Sequence, residues 1–486
     1  MSNRRFDLAN LNLAAPLTFT PTTRTWYSDE FRRLGAIAHF DPSLGATDNG
    51  TTSTWVDRIG GNTVTSTSQA TRLVYSASLA NLNGRPGWTG VAASNTKLVN
   101  TASTALGVLM AGVLPHTIYT VRRGIEPTSS IYFSSSKSGS TDYLYCGSLT
   151  GVHYSAYVRQ AGGQTAHTGA YRHTIEGIVA VMTFTGTTGA VHDNGGVAIT
   201  PAADSKNLDI NNLCIGGLIQ GTSVSFCFDG EIGDIIVFPT AHTNAQRMYV
   251  ERLLAQKYGW PCIRGVSGFS TANYLSNAGL TSGIRGDNTN GVWTDALIRP
   301  DAVPSGTQYI ESAWAGVAGQ SIVSSGAALG FTAGNATANA TSPTRTIAVT
   351  DVGKLMIFGG AAGPADLARG FVNGAEISAG TALAGYAKDT ATAFSAGARA
   401  AVSPATNYSI FGIAGGDSAQ VAANHAARAA AIKAAGRFVF TGGVAATHGW
   451  RFETPDAYHA DAVGVDMLTR TGTLTETQAI VSVWPW

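Results

Sequence analysis

Charge is what this 486-residue chain most lacks. Lys and Arg number 31 and Asp and Glu 30, together 13% of the sequence, where about 25% is usual for a soluble domain. The net charge is +1. Split after Arg264, the first part holds 19 basic and 16 acidic residues and the second 12 and 14, so neither half conceals a basic face. Without such a face there is no sequence-independent pull towards phosphate backbones or anionic lipid, and nucleic acid is excluded as a partner. Cysteine is scarce: Cys146, Cys214, Cys227 and Cys262 show no CxxC or Cys/His spacing that would hold zinc; Cys214 and Cys227 could lie close on neighbouring strands, but read first as buried thiols. The ten histidines form no HxH or HExxH pattern, which argues against a transition-metal centre. No apolar run approaches the roughly 18 residues of a membrane span. The N-terminal Met-Ser-Asn-Arg-Arg-Phe-Asp has no apolar core of a secretory signal.

What the chain does have is glycine, 58 residues, and short apolar runs broken by turns. From Gly35 onward, runs such as Ala36–Phe40, Thr117–Val121, Ile178–Met182 and Ile232–Phe238 recur about every eight to twelve residues, the rhythm of a β-sandwich or jelly roll. Asn194-Gly195 and Asn373-Gly374 supply the positive φ angles of tight hairpins. A helix is predicted over Asn244–Tyr258, with Thr243 as cap and Gly259 then Pro261 as its stop. Its apolar stripe is Val250, Leu253, Leu254 and Tyr258, while Arg247, Glu251 and Lys257 are expected in water. A second, Ala-rich helix is predicted over 419–435. The grammar of the first half returns in the second with a period of roughly 180 to 220 residues, too long for a solenoid. The reading is mainly β: two tandem jelly-roll sandwiches, each with a closing helix. The expected organisation is an N-terminal attachment arm (1–34), a first sandwich (35–260), a linker (261–285), a second sandwich (286–440) and a C-terminal extension (441–486).

Several stretches carry a resemblance. Asn83-Gly84-Arg85-Pro86-Gly87-Trp88, Leu213–Gly217, and Phe228-Asp229-Gly230-Glu231-Ile232-Gly233-Asp234 running to Phe238, followed by the helix ending Lys257-Tyr258-Gly259, resemble the concanavalin A-like lectin/glucanase sandwich of the laminin-G type. Residues 292–436 resemble it more loosely, through Ala296–Asp301, Gln308–Trp314 and Phe371–Ile377. The resemblance implies recognition of glycans or proteins, sometimes with calcium. Such modules also occur in the fibres, tails and capsid decorations of tailed phages.

Some members of that superfamily are glycosidases. Glu231 and Asp234 lie three apart on a predicted strand, and strict alternation puts them on opposite faces, unable to flank one glycosidic bond. Ala318-Gly319-Gln320-Ser321, Gly415-Gly416-Asp417-Ser418 and Asp456-Ala457-Tyr458-His459 resemble the blocks of SGNH-type esterases. That resemblance implies Ser321 as nucleophile, His459 as base and Asp456 as its orienter. Ile322 stands where an amide residue is expected, and no strand–helix alternation surrounds the blocks. A non-enzymatic protein is therefore expected, with this esterase as an alternative. Aromatic side chains offer flat faces to sugar rings, which singles out Trp88, Tyr143, Tyr145, Tyr154 and Tyr157 as binding candidates; cross-strand packing is the plainer account of them. No cofactor is expected. Calcium stays open, with Asp41, Asp48, Asn49, Asp57, Asp193 and Asn194 as hard oxygen donors in predicted loops. Taken together, the sequence reads as a tailed-phage virion protein of fibre, tail or capsid decoration, made in the host cytoplasm and released by lysis. Its expected partners are other virion proteins, host-surface polysaccharide and further copies of itself in a homo-oligomer, with no membrane insertion. A purely structural decoration role is the second alternative.

Overall fold

A computed structural model describes residues 26–480 outside 103, 112–114, 125–129, 138–141, 149–154, 161–162, 169–177, 197–201, 204–207, 221–222, 278–291, 316–317, 335–338, 343, 363–366, 383–392, 400–402, 417–424, 427–428, 431–449, 455–456, 461–468 and 472. The chain divides into two units, Met1–Trp260 and Pro261–Trp486. Both are antiparallel and mainly β, as the alternation and turn spacing predict. No helix among the described residues is long and apolar enough to cross a membrane.

In the first unit, one sheet runs in the order Ala202–Ala203, Thr188–Asp193, Ile178–Phe184, His116–Gly124, Gly230–Phe238, Arg85–Gly90, Val74–Leu79, with Ala38–Phe40 also pairing onto Gly230–Phe238. The facing sheet runs Gly163–Thr168, Ser155–Gln160, Tyr143–Ser148, Ser130–Ser136, Leu213–Ile215, Leu98–Asn100, Thr63–Ser66, Ser53–Val56, Ala46–Asp48. Inward residues of the two, among them Ile118, Ile232 and Ile235 against Trp55, Val64, Leu98 and Phe133, form one core between the layers. Burying such side chains stabilises the sandwich by about 1.5–3 kcal/mol each.

The closing helix is Asn244–Tyr258, as the sequence predicts. Thr243 and Gln246 form a reciprocal capping box, and Gly259 ends the helix at φ 65°. Its stripe of Val250, Leu253, Leu254 and Tyr258 is buried on the outer face of the first sheet. Arg247, Glu251 and Lys257, expected in water, are buried too: Arg247 pairs with Glu251 at 2.8 Å, and Lys257 enters a network described below. Residues 1–25 of the expected arm lie outside the described residues, but Trp26–Arg33 is a helix that packs into the first unit with Phe31 fully buried.

The second unit repeats the layout. Its first sheet centres on Met356–Ala362, Val292–Pro300 and Tyr408–Gly416, and its second on Ala318–Ser325, Thr307–Ala315 and Ala393–Ala396. The Asn373-Gly374 hairpin forms as expected, with φ of 57° and 95°. Two expectations change here. The stretch read as a linker contributes the strands Cys262–Ser267 and Tyr274–Asn277, and the stretch read as an extension contributes Thr475–Ile480, paired residue by residue with Cys262–Ser267. The cause is Arg299. This fully buried guanidinium donates to Gln478 O at 2.7 Å and Thr477 Oγ1 at 2.8 Å and pairs with Asp301 at 2.9 Å, so the terminal strand satisfies a charge that would otherwise be stranded. Of the second predicted helix, only His425–Ala426 and Ala429–Ala430 lie within the described residues; all four are helical, and Ala429 packs with Phe371.

Gly233 sits where the closing helix meets the first sheet, and a Cβ there would collide with the Tyr258 hydroxyl. Gly233→Ala is expected to destabilise the protein by about 1–3 kcal/mol, measured by denaturant unfolding; an unchanged midpoint would show that the helix is free to move off the sheet.

Candidate functional site

The sequence hides the densest polar cluster of the first unit. The strand Gly230–Phe238 has a register shift between Ile232 and Ile235. Ile232 and Ile235 both point into the core, so the intervening bulge breaks alternation. Glu231 and Asp234 therefore share the outer face, contrary to the opposite faces that alternation predicts. They still form no catalytic pair. Glu231 accepts from Asn81 Nδ2 at 2.8 Å, and Asp234 is wholly committed elsewhere.

Asp234 is fully buried. His39 Nε2 donates to it at 2.5 Å, Lys257 Nζ at 2.6 Å and the Tyr258 hydroxyl at 2.6 Å. Lys257 also reaches Asp41 at 2.9 Å, and His39 Nδ1 pairs with Ser28 Oγ at 2.9 Å. Burial pushes the Asp234 carboxyl up, but the Lys257 ammonium and the His39 hydrogen bond outweigh it and hold it well below the usual carboxylate range. Lys257 is the mirror case, with desolvation outweighed by Asp234 and Asp41 and the ammonium held above its usual value.

Ser28, His39 and Asp234 stand in the order of a hydrolase triad. Their side chains are nonetheless enclosed under both helices at 4%, 0% and 0% exposure, where no substrate can approach. His39, Asp41 and Asp234 offer donor atoms within 4.8 Å of one another, yet the Lys257 ammonium sits between the two carboxylates as their cation. Of the other oxygens considered for calcium, those of Asp48, Asn49, Asp57 and Asn194 are engaged, and Asp193 is buried. Asp57 accepts from the backbone of His39, Ile59 and Gly60, Asp48 from Gly50 and Arg72, Asn49 from Thr51 and Thr52, and Asn194 from Val179. These are Asx turns and strand-end clamps.

The aromatic candidates resolve differently from their expectation. Trp88 is fully buried in the core, 5.7 Å from Trp55 and 5.4 Å from Tyr75, so it cannot serve as a platform. Tyr143 and Tyr145 do share one face and stack at 5.8 Å, but they are 5% and 0% exposed. The hairpin Leu218–Gln220/Ser223–Ser225 folds over the outer face of the second sheet, anchored by Ser134 Oγ to Gly217 O and by Ile219 N to Ser134 Oγ, and Leu218 caps the tyrosines. Tyr154 lies outside the described residues. Tyr157 pairs with Tyr145 in the backbone register, and its side chain is outside them as well. Of the esterase residues, Ser321 is buried in mid-strand between Ser312 and Thr332 rather than on a strand–helix turn. His459 pairs in register with Arg451 in a hairpin, and Asp456 is outside the described residues. Cys146, Cys214 and Cys227 are buried free thiols as expected, with the Cys146 thiol pushed up to about 12 by burial.

Beside the covered tyrosines, the same outer face is open. A groove of about 430 Å³ lies over the strands Thr63–Ser66 and Leu98–Asn100. The first strand contributes Thr63, Thr65 and Ser66, and the turn after it Thr67, Ser68 and Thr71. Across the groove stand Lys97, Val99, Asn100 and Thr101. Lys97 N donates to Thr71 O at 2.9 Å, and Asn100 Nδ2 to Thr63 O at 2.8 Å, so the two walls are tied together. Among the described residues, none of the five threonine and two serine hydroxyls makes a side-chain hydrogen bond within the chain. Those of Thr63, Thr65, Thr67, Ser68, Thr71 and Thr101 face outward, while Ser66 is buried. No sequence signal marks this groove beyond the Thr/Ser run from Thr63 to Ser68.

No protein-family model matches the chain, and no curated protein matches it. Solved structures with similar coordinates include domains LG4-5 of the mouse laminin alpha1 chain (11% identity, 66% of this chain and 89% of that one, TM-score 0.26). Others are the CBM40 of Ruminococcus gnavus IT-sialidase bound to alpha2,3 sialyllactose (13%, 30% and 84%, 0.26) and a SAP-like pentraxin from Limulus polyphemus (14%, 30% and 73%, 0.25).

The network has a pH signature. A carboxyl whose folded pKa is depressed contributes stability above its unfolded value of about 3.9 and loses it as pH falls through the folded value. Wild-type stability should therefore fall steadily from about pH 5 downward. Asp234→Asn is expected to cost up to about 3–5 kcal/mol at neutral pH, because it leaves the buried Lys257 charge with Asp41 as its one carboxylate, and to flatten that acid limb. Calorimetry of the full chain across pH measures both; an Asp234→Asn protein with the wild-type acid slope would remove Asp234 as its source.

Proposed function

We propose that this chain is a non-enzymatic, lectin-like adhesion protein whose first sandwich binds a glycan in the Thr/Ser groove over Thr63–Ser66 and Leu98–Asn100. The observation that carries the reading is the set of outward hydroxyls of Thr63, Thr65, Thr67, Ser68, Thr71 and Thr101, left without intrachain partners along one groove of the sheet and its following turn. A polyhydroxylated ligand exchanges hydrogen bonds with such a surface at little reorganisation cost, since sheet strands hold the donors in place. The sealed Ser28–His39–Asp234 array and the mid-strand position of Ser321 support the non-enzymatic part. Low charge and abundant glycine, serine and threonine support a setting on the outside of a particle. We place the protein on a tailed-phage virion, as fibre, tail or capsid decoration, in contact with host-surface polysaccharide and further virion subunits.

The test is binding of the full chain to candidate host cells and their isolated surface polysaccharide, against Thr65→Trp, which plugs the groove from a half-buried outward position. Saturable binding that weakens at least tenfold in Thr65→Trp, with unchanged melting, is the expected result. Absence of binding at micromolar protein would leave a structural decoration role; turnover of acetylated polysaccharide, lost in Ser321→Ala, would establish the esterase.

A further inference from the structure

The groove contains no acidic side chain and one cation, Lys97. The neighbouring arginine is spent: Arg72 pairs with Asp48 at 3.0 Å and donates to Gln69 O at 3.0 Å. Lys97, half-buried, has no carboxylate within ion-pair distance among the described residues. A lysine held on a sheet face without a counter-charge favours an anion in front of it.

A second feature lies one step across the sheet. Leu98 pairs with Ile215, which brings Lys97 level with Gly216; a Cβ on the next residue, Gly217, would stand 3.3 Å from Cys227 Sγ. Lys97 is also close enough to lower the Cys227 thiol against the rise that burial imposes. The residue before Cys227 is Phe226, which adopts φ 49° and is 46% exposed. A bulky side chain in the left-handed region is strained, and one that is also left in water has no packing gain to offset the strain. Such outliers cluster at ligand sites.

We propose that the groove selects an anionic glycan, with Lys97 meeting its carboxylate, sulfate or phosphate and Phe226 offering its ring face to the adjoining sugar. This specificity rests on the glycan-binding reading above. Lys97 acts as a charge partner of the ligand, and Phe226 as a stacking surface whose backbone is held in a costly conformation by the Ile131–Cys227 bridge.

The probes are polygalacturonate, its methyl ester, dextran sulfate and plain dextran, titrated against the full chain at low and moderate salt. The expected result is binding of polygalacturonate or dextran sulfate at least tenfold tighter than of methyl ester or dextran, with the two anions separating carboxylate from sulfate preference. Lys97→Met should abolish that difference while leaving residual neutral-glycan binding. Phe226→Gly should weaken binding of every glycan while leaving melting unchanged or raised by up to about 4 °C, as relief of strain in a domain of this size would give. Equal affinity for polygalacturonate and its methyl ester, or an anion preference that survives Lys97→Met, overturns the proposal but leaves glycan binding at the groove standing. Loss of melting temperature in Phe226→Gly overturns the part assigned to Phe226. Failure of all four probes and of host polysaccharide to bind overturns both readings.

Discussion

The first sandwich is organised around one buried carboxylate. Asp234 cannot remain ionised in a dry interior unless donors surround it, and the donors come from parts of the chain far apart in sequence. His39 comes from the first strand, and Lys257 and Tyr258 from the end of the closing helix. Ser28, behind His39, comes from the N-terminal helix. Satisfying that charge therefore forces both helices onto the same face of the first sheet. The bulge at Gly233–Asp234 makes this geometrically feasible, because it turns Asp234 outward between two isoleucines that both face the core. Gly233 then leaves the space into which the Tyr258 hydroxyl reaches. Hydrophobic burial supplies most of the stability, but it is non-directional; the polar network supplies the unique placement.

With one outer face consumed by the helices, the outer face of the second sheet is the one on which a ligand can sit, and it is itself divided. The Leu218–Ser225 hairpin covers the half containing Tyr143 and Tyr145, while the half over Thr63–Ser66 and Leu98–Asn100 stays open. The division explains why the aromatic residues are structural and the hydroxyl residues are available. It also explains where strain can be stored. Phe226 follows the covering hairpin, and its carbonyl accepts from Ile131 N at 3.0 Å beside the Ile131–Cys227 bridge, so its backbone conformation is set by neighbours and not by its own preference.

Much of the fold is legible in the sequence because it depends on local rules. Asn-Gly pairs at 194–195 and 373–374 give the expected left-handed turn angles, and Thr243, Gln246 and Gly259 bound a helix whose limits they specify by hydrogen bonding. The candidate site is less legible because it depends on what covers what. Alternation shows that Tyr143 and Tyr145 share a face, yet says nothing of a hairpin arriving from residue 218. Alternation also misplaces Asp234, since a bulge has no signature that separates it from a regular strand containing glycine. Lys257 and Arg247 read as solvated because charge in a helix usually is; Lys257's partners Asp41 and Asp234, and the burial of the i,i+4 pair Arg247–Glu251, become visible only when the helix is docked. The hydroxyl groove is invisible for a different reason. Thr and Ser on the outward positions of a strand carry the same pattern whether their hydroxyls meet water or a ligand.

The second sandwich solves the same closure problem with different chemistry, which is why the sequence obscures its ends. Where the first unit uses Asp234 to draw in its closing helix, the second uses Arg299 to draw in its terminal strand. A guanidinium has five donors and no acceptor, and here it takes Gln478 O, Thr477 Oγ1, Ser409 Oγ and Asp301 as partners. Two of these lie in Thr475–Ile480, so the final described strand is as much a part of the unit's electrostatics as of its sheet. The outer face of the first sheet again holds a buried acid–imidazole pair, Asp295 with His425 at 2.7 Å, under Phe371 stacked at 4.9 Å. The recurrence follows from the architecture. A sheet face that must accept a covering segment along its full width favours a short directional pair at the seam, because apolar contacts alone would let the segment slide.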